Sequence, residues 1–361
     1  MTTLDTAATT PSMSQVEDRD RWQIAIWLLV CCALIFSMVV LGGVTRLTGS
    51  GLSIVEWKPV SGILPPLDHA AWEEEFSRYR ESPEYSKINP GMDLEAFQRI
   101  YWFEFAHRLL GRTIGVAFLL PFLYFLVRGR IEKTLAPRLA LIFVLGGLQG
   151  ALGWYMVKSG LVDNPHVSQY RLTAHLLAAI IIYGYILWVA LGLLSTRRTP
   201  KRSAAGSSLG VGTAFVTALI LITIISGGFV AGLKAGLAYN TFPLMGGQWI
   251  PGGILALDPW YRNLFDNIAT VQFDHRLLAL LVLVSVVSLW RFSRRFELAP
   301  AARTGYLLLL GMAFLQVALG ISTLLLHVPV ALAAAHQAGA LILFSIALYV
   351  NHRLRTAARP A

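Results

Sequence analysis

Apolar residues run in long blocks along this chain, broken by short polar segments rich in arginine, glycine or proline. A helix rises about 1.5 Å per residue, so roughly 20 mostly apolar residues cross a hydrocarbon layer. Eight stretches reach that length, at about 22–43, 101–127, 137–157, 170–194, 208–231, 270–290, 304–326 and 331–350. The pattern predicts an all-α membrane protein with eight transmembrane helices. The segment 46–100 is long and contains DHAAWEEEFSRYRESPEY. Charges and aromatics recur there at helical spacing, which predicts a short surface helix.

Composition sharpens this picture. Of 361 residues, 55% are AVILMFWYC and 14% are charged, with a mean hydropathy of +0.60. An ordinary soluble domain carries about 25% charge, and a disordered chain is poorer in apolar residues. Lys+Arg 30 against Asp+Glu 20 gives +10. In a membrane protein that excess is a topology signal, so the bilayer rather than nucleic acid is the expected partner. Basic residues gather in the N-terminal tail (Arg19, Arg21), in short loops near 128–138, 197–202 and 291–303, and in the C-terminal tail. The positive-inside rule then places both termini in the cytoplasm, in a multi-pass inner-membrane protein. The tail has no basic n-region and no A-x-A-like site follows the first apolar run, so helix 1 is read as retained. Cys31 and Cys32 are adjacent in that run and read as small apolar residues, with no disulfide framework available.

The chain repeats itself. FEFAHRLLG (103–111) matches VQFDHRLLA (271–279), LQGALG (148–153) matches LQVALG (315–320), Gly42-Gly43 matches Gly227-Gly228, and His175 matches His336. A polar connector, 195–207, separates the copies. The expected divisions are a cytoplasmic tail 1–21, an N-terminal four-helix half 22–194 with the outer loop 46–100, a linker 195–207, a C-terminal half 208–351 and a tail 352–361. Each half has an even number of spans. The expected architecture is therefore two tandem four-helix bundles related by a pseudo-twofold along the membrane normal.

Four of the eight histidines fall inside helices: His107, His175, His275 and His336. Each comes about four to seven residues after an outside-to-inside helix begins, roughly 6–10 Å below the outer surface. Ionisable groups in a membrane helix normally face a partner or a cavity. Zinc wants three or four protein ligands. Two imidazoles per half and no cysteine fit a heme with one axial ligand from each face. Arg108 and Arg276 directly follow two of these histidines and suit heme propionates, with snorkelling to head groups as the alternative. His69, His166, His327 and His352 read as loop or interfacial residues. Trp22, Tyr101, Trp102 and Trp290 read as interface anchors.

Glu104 lies three residues before His107, on the same helix face. The second half reads Gln272-Phe273-Asp274-His275, with Val271 set opposite Glu104. A carboxylate beside one pair only predicts different jobs for the two sites, with Glu104 holding a proton or stabilising positive charge. Pairing with a nearby arginine is the alternative.

GGVTRLTGSGLS (42–53), the Glu-x-x-His of FEFAHRLLGR, LQGALGWYMVKSGL (148–161), the paired His175 and His336, and the duplication together resemble the heme A synthase family over nearly all of residues 20–350. The similarity is to the alphaproteobacterial and mitochondrial branch, since the outer loops carry no cysteine pairs. The resemblance implies an oxidoreductase that converts the C8 methyl of heme O to a formyl group. It does so by two hydroxylations through heme I, then dehydration, supplying heme A for cytochrome c oxidase. By the same resemblance His275 and His336 hold a resident bis-His heme b, His107 and His175 bind the substrate heme O, and Glu104 is catalytic. The sites lie toward the periplasmic side. Heme O synthase and cytochrome c oxidase assembly factors are the implied partners, and a homo-oligomer stays open. A di-heme b-type quinol oxidoreductase, or a heme transporter or assembly scaffold, would reuse the same histidines.

Overall fold

The computed structural model describes residues 13–58, 61–161, 165–195 and 204–356. Most of the linker read at 195–207 and the ends of both tails lie outside the described residues. Among the described residues the fold is helical throughout, with no strand. Its only extended pairing is an isolated bridge between Met245 and Gln248.

Eight helices are long and apolar enough to cross a membrane, and the chain is a multi-pass membrane protein. They are α1 (Met13–Leu47), α4 (Leu94–Val127), α5 (Ala136–Gly160), α6 (Gln169–Leu194), α7 (Ala204–Gly232), α9 (Ile268–Ser293), α10 (Pro300–Leu325) and α11 (Val330–Thr356). Helix α1 packs on α4 and α6, and α5 on α4 and α6, which closes a ring of four. Helices α7, α9, α10 and α11 close a second ring in the same way, and the rings meet through α1, α6, α7 and α11.

The seam between the rings is where buried side chains concentrate. Leu28, Cys31, Ile180, Ile186, Leu341, Phe344 and Ala347 belong to one continuous core cluster. Polar pairs tie the same helices together: Tyr183 Oη to Ser345 Oγ at 2.8 Å, and Asn351 Nδ2 donating to Thr217 Oγ1 at 2.7 Å. Such bonds contribute modestly, about 0.6 kcal/mol on average in membrane helices, but they fix rotation about each axis. Cys32 Sγ lies 3.9 Å from the Tyr183 carbonyl, a packing position that matches the apolar reading of the cysteines.

The outer loop of the first half is a small folded unit. Asp68 caps α2 (His69–Arg80) by accepting from Ala71 N, and Ser82 caps α3 (Pro83–Lys87) by accepting from Tyr85 N. The surface helix expected from the charge spacing is α2. Helix α4 starts at Leu94 rather than near 101, with Asp93 as its cap. Its extra turns are polar outside and place Phe97 and Tyr101 against Phe76 and Tyr79, in an aromatic cluster. Hydropathy alone registers the apolar span and misses this extension.

Candidate functional site

The four helical histidines form two pairs. His275 and His336 face each other with ring centres 6.4 Å apart and planes at 84°. A metal–imidazole bond is about 2.0 Å and a ring nitrogen lies roughly 1.1 Å from the ring centre, so two imidazoles opposed on one ion stand roughly 6.2 Å apart. The separation of the C-terminal pair is close to that value. His107 and His175 lie within electrostatic reach of each other in the first half. Counted from the start of the apolar stretch at Tyr101, His107 comes six residues in. His175, His275 and His336 come six or seven residues into their helices, while His107 comes 13 residues into the extended α4.

Each imidazole rests on a glycine of a neighbouring helix. A Cβ at Gly42 would come within 3.1 Å of His107 Nε2, and at Gly153 within 3.0 Å of His175 Cε1. At Gly227 it would lie 3.1 Å from His275 Cε1, and at Gly320 only 2.8 Å from His336 Cε1. The glycines of the repeated GG and LQxALG segments are therefore the floors under the rings.

Two glutamines, which sequence reasoning missed, repeat just as faithfully. Gln149 Nε2 donates to the His175 carbonyl at 2.9 Å and lies 3.1 Å from His175 Nδ1. Gln316 Nε2 does the same at His336, at 2.8 and 3.1 Å. Both glutamine Oε1 atoms are buried without a partner. Each Nε2 has two hydrogens, so it reaches the carbonyl and Nδ1 together and holds the ring in place. The signal was the glutamine shared by LQGALG and LQVALG, one helical turn before each floor glycine.

The two pairs differ at the remaining histidine. Ser226 Oγ donates to the Thr223 carbonyl at 2.8 Å and stands 2.7 Å from His275 Nδ1. The Thr223 carbonyl also hydrogen bonds His275, as the Gln316 carbonyl does His336. With Gly42 opposite Gly227, the place of Ser226 is held in the first half by Leu41.

Glu104 is buried and fully engaged. Its Oε1 accepts from Arg108 Nε at 3.0 Å and Nη2 at 2.6 Å, and its Oε2 from Ser53 Oγ and Ile54 N, each at 2.8 Å. Arg108 donates further to the carbonyls of Ile54 and Glu56. Arg276 clamps the corresponding loop, donating to the carbonyls of Tyr239 and Thr241 at 2.8 Å. The counterpart of Glu104 is Gln272, not Val271: each lies three residues before its histidine. Gln272 Nε2 also donates to the Tyr239 carbonyl, at 3.0 Å. Both arginines thus serve the loop that follows the first helix of their half. Every Arg108 nitrogen has a partner, whereas Arg276 Nε is buried without one.

Beside this junction, Glu84 is buried with Oε2 unpartnered, and burial together with the nearby Glu104 charge pushes its carboxyl up to about 8. A cleft of about 320 Å³, lined by Ile54, Lys58, Tyr101, Phe105, Arg108 and Arg112, opens between the 54–66 segment and the outer turns of α4.

A family profile described as "Cytochrome oxidase assembly protein" matches residues 25–348. The heme A synthase of Nitrosospira multiformis is 58% identical over 92% of this chain and 93% of its own length. That of Nitrosomonas eutropha is 52% identical over 95% and 97%. The Arabidopsis thaliana protein, also a heme A synthase, is 49% identical over 93% of this chain and 75% of its own. With the profile spanning most of the chain and such identities end to end, the chain belongs to the heme A synthase family of cytochrome oxidase assembly proteins.

Proposed function

We propose that this protein makes heme A from heme O. Methyl to formyl is R–CH3 + H2O → R–CHO + 4 H+ + 4 e−, taken as two hydroxylations through heme I and a dehydration, with water as the oxygen source and the four electrons passing to an acceptor outside this chain. The product supplies cytochrome c oxidase, with heme O synthase and oxidase assembly factors as handover partners. The observation that carries the reading is the two histidine pairs built on one plan, with a glutamate three residues before the histidine in the first half where the second half has Gln272.

His275 and His336 hold the resident heme b, which supplies one-electron transfer. Both imidazoles there are oriented by hydrogen bonds, His275 through Ser226 and His336 through Gln316. His107 and His175 receive the substrate heme O. Glu104 stands one helical turn from His107 with its charge balanced by Arg108. Its role is to hold the 53–56 segment over the substrate site and to fix negative charge where the oxidised carbon becomes electron-poor. Arg276, with Nε unpartnered, is the better placed of the two arginines for a propionate.

The pseudo-twofold arrangement of two tandem bundles is supported by the two closed rings of helices. Termini in the cytoplasm of a cell inner membrane, with both sites toward the periplasm, follow from the arginine-rich short loops.

Heme extraction from cells with and without this chain, in a background that makes heme O, tests the activity. Heme A is expected only with the chain present. His275→Ala and His336→Ala should each abolish the low-spin heme b of the purified protein. A di-heme quinol oxidoreductase would leave the extracted hemes unchanged.

A further inference from the structure

The two halves supply nearly identical surroundings to their histidines. Floor glycines repeat at all four rings, and the glutamine amide repeats at His175 and His336. One position breaks the repeat. At His275 the Ser226 hydroxyl, itself fixed by donating to the Thr223 carbonyl, accepts from Nδ1–H at 2.7 Å. At His107 the equivalent residue is Leu41, which has no polar atom to offer.

His175, His275 and His336 each present Cε1 to their floor glycine, whereas His107 presents Nε2, 3.1 Å from a Cβ position on Gly42. Among the described residues, His107 is also the one histidine of the four with no side-chain hydrogen bond at Nδ1. The Leu41 side chain offers this ring no hydrogen bond that would fix one orientation.

We propose that Ser226 is a positioning residue that makes the C-terminal site retain its heme, and that Leu41 in the same place makes the N-terminal site an exchanging one. This rests on the assignment of resident and substrate sites above. A site that binds heme O and releases heme A every cycle gains nothing from a locked ligand. A site that only relays electrons must not lose its cofactor. Partners that orient a ligating histidine are typically worth about 10–100-fold in metal affinity. That range is enough to separate a retained heme from an exchanging one on otherwise equal scaffolds.

The test uses the full-length protein in detergent, loaded with heme b, and a heme-scavenging apoglobin in excess. Release of the C-terminal heme is followed at the Soret band, and axial-ligand orientation by low-temperature electron paramagnetic resonance. Ser226→Ala and Ser226→Leu should speed release about 10–100-fold and move the low-spin signal. Ser226→Thr, which keeps the hydroxyl, should stay near wild type in both. Leu41→Ser should slow release of heme from the N-terminal site by a similar factor. Wild-type release and an unmoved signal in Ser226→Leu would overturn the proposal. If heme b instead survives in His275→Ala, the site assignment itself is at fault, so the two failures are told apart.

Discussion

Glu104 and Arg108 form a two-point pair one helical turn apart on α4, with Arg108 Nε and Nη2 at 3.0 and 2.6 Å from the same carboxylate oxygen. The acid is 3% exposed and the guanidinium 10%. Both bonds are charge-assisted, a class roughly twice as strong as neutral hydrogen bonds. The pair also organises backbone, because Glu104 receives Ile54 N while Arg108 reaches the Ile54 carbonyl. In the second half Gln272 and Arg276 converge on the Tyr239 carbonyl. The same clamp is thus made with and without a negative charge.

Glu104→Gln copies the second half's solution into the first. We expect the variant to fold, keep its heme b, and accumulate heme O or heme I in membranes, read by chromatography of extracted hemes. Glu104→Ala removes the acceptor from Arg108, Ser53 and Ile54 together. A buried charge left without its partner costs about 3–5 kcal/mol, so faster proteolysis of segment 50–66 should accompany the loss of activity. Undiminished heme A in Glu104→Gln would remove any chemical role for the charge and leave only the clamp.

Gly320 has the closest floor contact, 2.8 Å from His336 Cε1 to the position a Cβ would take. Gly320→Ala should push the imidazole off its seat and lower the heme b content of the purified protein several-fold. Gly146, on α5, meets nothing within 4 Å. Gly146→Ala should keep full heme content, and a helix interior gains about 0.5–1 kcal/mol from losing a glycine. Equal heme content in the two variants would mean that the rings tolerate crowding and that the floor is incidental.

Arg276 offers a further test of the propionate reading. Arg276→Lys keeps the charge but not the two-carbonyl clamp or Nε. The variant should retain heme b less well and expose the 239–244 segment to protease. The corresponding Arg108→Lys should expose 53–58 while leaving heme b in place. If Arg276→Lys exposes the segment without altering the heme, the arginine serves the loop alone.

The eight spans, the duplication and the four histidines were legible because each leaves a periodic or repeated mark. Apolar length reports a membrane helix, and repeated motifs report equivalent positions. The early start of α4 was not legible, because Leu94–Ile100 is helical through its Asp93 cap and its aromatic contacts rather than through hydropathy. The Glu104–Arg108 pair stood as one of two readings, since spacing permits a contact without requiring it. Setting Val271 opposite Glu104 hid the chemical likeness of Gln272. Ser226 left no mark at all: a serine in an apolar run is ordinary, and only its 2.7 Å approach to His275 distinguishes it.

Glu84 makes the outer loop of the first half sensitive to pH. Its carboxyl is 5% exposed in the loop's interior, and burial, then the Glu104 charge, raise it from 4.5 to about 8, while a bond to Tyr79 opposes the rise. Asn89 Nδ2 donates to the same Tyr79 hydroxyl at 2.8 Å. Between these two values the folded loop keeps the proton and the unfolded loop gives it up. Folding therefore weakens as pH rises through that window, by up to about 1.4 kcal/mol per pH unit, and the loss levels off above the folded value. Amide exchange of α2 and α3, corrected for intrinsic rates, should accelerate between pH 6 and 8.5 in the wild-type protein. Glu84→Gln, which cannot ionise, should flatten that dependence and protect the loop at high pH. An identical slope in the two proteins would show that Glu84 does not carry the buried proton.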